Sequence, residues 1–153
     1  MSRAFVKESE IDTATLPDRP ISPNRNLVTE DGLAAIEAAL KHFQAAHRAA
    51  IDNDDRQAAS TALREVRYWT ARRASAEVVR TPAAKHQVAF GLTVTLSKHD
   101  GLEQSFRIVG EDQADPSRGM VSYVSPLARA VMTHCVGEMV QIAGQTALIL
   151  DIR

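Results

Sequence analysis

The sequence predicts an α+β chain: an N-terminal antiparallel helical hairpin followed by a small sheet domain that carries one short helix. Three observations predict it. Two runs with apolar residues at alternating spacings of three and four stand either side of "DNDD". After "RTPAAKH" the composition switches to β-branched and apolar segments separated by turn residues. Within that second half, "SYVSPLARAVM" begins as a strand and turns at Ser125-Pro126 into a short amphipathic helix.

Residues 1–26 hold charge, three prolines and few apolar side chains, and read as a flexible or loosely docked arm. The hairpin is expected over 27–80. Thr29 is placed to cap the first helix, with Glu30 and Asp31 in its first turn, where carboxylates suit the helix dipole. Leu33, Ile36, Leu40, Phe43, His47 and Ala50 then form one seam. Asp52 to Asp55 are turn formers. Ala59, Ala62, Val66, Trp69, Arg73 and Ala76 form the second seam, so helices are expected over 30–51 and about 55–78. Neither helix is stable alone in water, so mutual packing must support both. One bent helix, or two helices packed separately on the other half, is the rival arrangement.

The sheet domain is expected over 81–153. "VAFGLTVTLS" (88–97) and "LEQSFRIVG" (102–110) read as strands joined by the turn "KHDG". "EDQADPSRG" is a polar loop, "MVSYV" a third strand, and "VGEMVQIAGQTALILDIR" two strands around Ala143-Gly144. Four or five strands and one helix result, with the helix covering one sheet face. Ser125 is a favoured N-cap and Pro126 fits the first helical position. Leu127, Ala130 and Val131 are expected to share the buried face.

Composition excludes several function classes. The chain has 153 residues and a formal net charge of -1, which gives no global attraction to nucleic acid or membrane. Its single cysteine, Cys135, allows no internal disulfide and fits a reducing, cytoplasmic setting. No apolar run resembles a secretory signal or a membrane span. Cys135 beside His134 makes neither a zinc set nor a triad, and no phosphate loop or dinucleotide fingerprint is present. Arg56, Arg64, Arg67, Arg72, Arg73 and Arg80 crowd one segment; they read as a solvated face or as contacts to a partner's phosphates.

"FRIVGEDQAD", "SYVSPLARA" and "VGEMVQI" resemble the C-terminal domain of the bacterial Gre-type transcription elongation factors, the GreA/GreB family, over residues 85–153. "MSRAFVKE" and "LPDRPIS" look like the arm of GreB-like members. The resemblance implies a coiled-coil hairpin plus an FKBP-like globular domain. It further implies binding to bacterial RNA polymerase at the secondary channel, with nucleic acid met only inside the transcription complex and no small-molecule substrate. The corner residues Ser125, Pro126, Leu127 and Arg129 correspond to the part of the family's globular domain implicated in that grip. In the family the hairpin tip places carboxylates beside the catalytic magnesium of the polymerase; the factor carries no cofactor of its own.

This sequence departs from the family at the tip. The Gly-Asp and Glu-Asn-Ala-Glu-Tyr motif is not present. A helix from Glu30 to Ile51 would be roughly 33 Å long, about five turns below the family norm, and in this the chain resembles the regulator of nucleoside diphosphate kinase. Asp52, Asp54 and Asp55 stand where the acidic tip should be; such carboxylates hold magnesium or orient water, and they are also ordinary turn formers. Three functions compete: an elongation factor that stimulates cleavage of backtracked transcript, a channel-occupying regulator that does not, and a peptidyl-prolyl isomerase. The third needs an aromatic-lined pocket, and the sheet half offers only Phe90, Phe106 and Tyr123.

Overall fold

The computed structural model describes residues 16–153. Strand β1 (Leu27–Val28) leads into helix α1 (Glu30–Asp52), a tight turn, helix α2 (Arg56–Ser75) and strand β2 (Glu77–Val78). The hairpin and its turn are as expected. Thr29 caps α1: its hydroxyl accepts from the Gly32 N–H at 2.9 Å. At the far end Asp54 adopts φ +53, left-handed backbone that Asp tolerates, and Asp55 caps α2 by accepting from the Ala58 N–H at 2.9 Å.

The second helix ends three residues before the expected 78. Its exit is captured by β1, which pairs in parallel with β2, Leu27 opposite Glu77 and Val28 opposite Val78. This two-residue ladder closes the mouth of the hairpin. The seam holds as drawn on α1, where Ile36 and Ala50 are buried, and at Ala59 and Ala62 of α2. It fails at the base: Arg73 is exposed and Arg72 is buried instead. The cause is an acidic partner from the other half of the chain, described below.

Strands β3 (Thr93–Lys98), β4 (Glu103–Val109), β5 (Met120–Ser122), β6 (Met139–Ile142) and β7 (Gln145–Ile152) form one mixed sheet in the order β5-β4-β3-β7-β6. All neighbours are antiparallel except β4 and β5. Helix α3 (Pro126–Val131) covers one face, with Ala128 and Val131 wholly buried against Val94, Phe106, Ile108, Val140 and Ile149. Alternation sets the inward residues: in β3, Val94 and Leu96 point to the core while Thr93, Thr95 and Ser97 do not.

The first predicted strand begins late. Residues 88–92 are buried but irregular, and strand starts at Thr93. Gly91 takes φ +87, which breaks the extended run, and Val88 exchanges backbone hydrogen bonds with His134 and Thr133 rather than with the sheet. Of the two readings of the arm, flexible or loosely docked, its described part takes the docked one. Residues 16–26 lie along α2: Arg19 pairs with Glu65 at 2.6 Å and stacks 3.6 Å from the Tyr68 ring centroid. The expected arm over 1–15 lies outside the described residues.

Candidate functional site

The corner is built as its sequence dictates. The Ser125 hydroxyl accepts from the Ala128 N–H at 3.2 Å, and Pro126 opens the helix where no N–H is needed. The buried pair is Ala128 and Val131, a correction to the expected Leu127, Ala130 and Val131. Ala128 and Val131 stand three apart on one side of this six-residue helix, and that side faces the sheet. Leu127 is half-buried at the edge of the core. Pro126 and Arg129 are exposed, three residues apart and so on one side of the helix. The corner thus presents a rigid ring and a cation while Ser125 holds its shape. Ser125→Ala is expected to lower stability by about 1 kcal/mol, measured as a shift in urea midpoint.

The tip brings Asp52, Asp54 and Asp55 into one exposed turn. It does not make them a chelating set. Asp55 is committed to capping α2, and among the described residues no group of three His, Cys, Asp or Glu side chains is arranged to hold a metal. All three remain exposed, Asp55 giving one of its two oxygens to the cap.

The arginine run lies largely at the surface, as a solvated face would, with several members paired within the chain; Arg72 departs from that reading. Arg64 donates to the Pro17 carbonyl at 2.8 Å, Arg67 pairs with Asp18 at 2.5 Å, and Arg73 pairs with Glu37 at 3.1 Å. Arg72 is 1% exposed. Its guanidinium donates to Asp112 through Nε and to the Asn26 side-chain oxygen at 2.6 Å, while Asn26 returns a bond to the Arg72 carbonyl at 2.7 Å.

Asp112 belongs to a joint that the sequence did not reveal. Gly110 to Gln113 follow β4 and press one after another on the hairpin base and the arm beside it. Gly110 lies so close to β1 that an added Cβ would stand 2.2 Å from the Leu27 carbonyl oxygen. Glu111 accepts from Ser22 and Asn24, each at 3.1 Å. Asp112 accepts from Arg72 and from the Tyr68 hydroxyl. Gln113 accepts from the Thr29 hydroxyl at 2.7 Å. The one signal available beforehand was the dense polar run inside an otherwise apolar motif, "FRIVGEDQAD".

Burial, then the hydrogen bond and charge of Asp112, push the Tyr68 phenol up to about 12 from 10.0. A raised folded pKa favours the protonated folded state. Its contribution to stability is therefore complete below pH 10 and is lost as pH rises from there toward about 12. Tyr68→Phe is expected to flatten that part of the stability profile, measured by urea unfolding between those limits.

The other candidates carry no chemistry. Phe90 and Phe106 are buried in the core, and the Tyr123 hydroxyl donates to the Arg25 carbonyl at 2.6 Å. The cleft beside α3, about 230 Å³, is lined by Leu96, Leu127, Ile142 and Ala147 with a polar rim, not by those rings. Cys135 is half-buried, and the neighbouring His134 ring bonds the Met132 carbonyl at 3.1 Å. No helix among the described residues is long and apolar enough to cross a membrane.

Comparison with known proteins agrees with the sheet half and extends into the hairpin. Residues 83–152 match the family described as transcription elongation factor, GreA/GreB, C-term. The transcription elongation factor GreB of Neisseria meningitidis serogroup B is 40% identical over 79 residues, 50% of this chain and 48% of that protein. The chain thus spans about half the length of the first curated relatives it matches. The transcription elongation factor GreA of Methylobacterium nodulans is 32% identical over 138 residues, 76% of this chain and 86% of that protein. Among solved structures, GreA factor homolog 1 of Thermus thermophilus aligns with TM-score 0.42 and 14% identity over 85% of this chain and 99% of its own. With a hairpin, a mixed sheet, the SPLAR corner and a relative matched along most of its length, this chain belongs to the GreA/GreB family.

Proposed function

We propose that the chain binds bacterial RNA polymerase at its secondary channel and regulates transcript elongation, without catalysis of its own. The observation that carries this is the corner. Pro126 and Arg129 stand exposed on a helix whose other face is locked into the core, within the segment that matches the family. A surface so built can bind without refolding. The relatives' names, transcription elongation factors, supply the class of partner. Nucleic acid would be met only within the transcription complex, the setting would be cytoplasmic, and no cofactor or small-molecule substrate is required.

A second reading concerns what the tip does there. Occupation of the channel without cleavage stimulation is favoured by the tip itself. Asp55 caps α2 through one oxygen, so Asp52 and Asp54 are the tip carboxylates with no capping duty. Helix α1, with 23 residues, reaches roughly 35 Å. A carboxylate assists a metal or water only within a few ångströms. The test mixes the purified chain with core polymerase and with backtracked complexes, follows co-purification, and follows release of the 3′ RNA fragment. Co-purification with little fragment release is expected. Absence of co-purification would overturn the polymerase reading. Robust cleavage that disappears in Asp52→Ala/Asp54→Ala would overturn the second reading and leave the first intact.

A further inference from the structure

Residues Gly110 to Gln113 form a polar run in which each member reaches across to the first half of the chain. Each engages a different part of what precedes the sheet half: Gly110, Asp112 and Gln113 meet the hairpin base, and Glu111 meets the arm lying against it. The central contact is an ion pair with almost no solvent access: the Arg72 side chain is 2% exposed and that of Asp112 is 11%. A pair buried this deeply adds little net stability over apolar residues of equal size, because desolvation offsets most of the attraction. What it does provide is direction. The guanidinium is a planar fork whose donors point to fixed places, here Asp112 and Asn26, so one relative orientation satisfies it. Tyr68 and the close approach of Gly110 to Leu27 restrict the same joint from either side.

We infer that Gly110–Gln113 is the positioning element of this molecule, fixing the angle between hairpin and sheet domain so that tip and corner stand at one separation before any partner is met. Arg72 and Asp112 are its positioning residues, acting through the hairpin base that they join. The sequence stretch "GEDQ" thereby gains a role distinct from the corner's. The purpose of a fixed separation rests on the proposed function, since a factor that grips with one end must deliver the other. The geometry itself does not rest on it.

The experiment uses the full chain without polymerase, so its failure and the failure of the polymerase reading are separable. Spin labels are placed at Asn53→Cys in the tip and His99→Cys in the β3–β4 turn, with Cys135→Ser removing the native thiol. Pulsed electron–electron double resonance then reads the distance distribution between the tip and the sheet domain that carries the corner. One narrow peak is expected for this parent. Two variants loosen the joint by different means. Arg72→Met/Asp112→Leu removes both charges and leaves none orphaned; Gly110→Ala forces a Cβ against the Leu27 carbonyl. Each is expected to broaden and shift the distribution while amide signals of the sheet core stay in place. Distributions identical to the parent in both variants would overturn the inference. So would loss of the sheet domain's own fold in both, because the segment would then be part of that domain's core and not a joint.

Discussion

Asp112→Ala is expected to lower the stability of the chain by about 3–5 kcal/mol, the cost of stranding one member of a buried ion pair. The guanidinium of Arg72 would keep only the Asn26 oxygen at 2.6 Å and would have no route to solvent, since its side chain is 2% exposed. Tyr68 would lose its acceptor as well, in a site where an unmet donor costs about 1–3 kcal/mol. The two losses share one carboxylate, so they overlap and do not add. Urea unfolding, with the midpoint compared at constant slope, measures the result. Arg72→Met/Asp112→Leu separates causes: with neither charge left, stability is expected to return most of the way. A loss below about 1 kcal/mol in the single variant would mean that water reaches the pair, as at an exposed salt bridge. The Arg25–Glu77 pair is the internal control, because both side chains are well exposed and its removal is expected to cost little.

The same pair shows why some of this molecule was legible in its sequence and some was not. Local grammar carried the elements. Thr29 with Glu30 and Asp31 marked the start of α1, and Ser125-Pro126 marked that of α3, because capping is decided within one turn. The heptads gave the hairpin, because their period reports which face is buried, and β-branched, apolar runs bounded by turn residues gave the strands, though the run over 88–97 becomes strand only at Thr93. Contacts between distant segments leave no such mark. Arg72 and Asp112 are 40 residues apart, and Tyr123 reaches Arg25 across 98. A seam analysis therefore took Arg73 for a core position and left Arg72 in a basic strip. The short parallel ladder of β1 and β2 was equally hidden: two residues are too few for a period, and the pairing closes over the whole hairpin. The corner residues were identified through resemblance, and capping alone explained Ser125; only the fold separates Pro126 and Arg129, which face outward, from Ala128 and Val131, which hold the helix down.

That separation underlies the other large effect. Pro126→Ala/Arg129→Glu is expected to weaken binding to RNA polymerase at least about tenfold, a change of roughly 1.4 kcal/mol, with the chain still folded. Arginines presented on a fixed element are frequent anchors of interfaces, and truncating an anchor commonly costs about 2 kcal/mol or more. Charge reversal at Arg129 also opposes any acidic patch that meets the corner, which slows association and makes it less sensitive to salt. The fold has little reason to change. Neither side chain is buried, the Ser125 cap remains, and Ala128 and Val131 stay in the core. Loss of the proline ring removes only a preference for the first helical turn that Ser125 still supports. Affinity measured at two salt concentrations, with thermal unfolding of the same samples, distinguishes the outcomes. Weakened binding by a variant with unchanged unfolding places the grip at the corner. Unchanged affinity in a folded variant would move the polymerase-binding surface away from residues 125–129 while leaving family membership, the joint at Gly110–Gln113 and the hairpin as they stand.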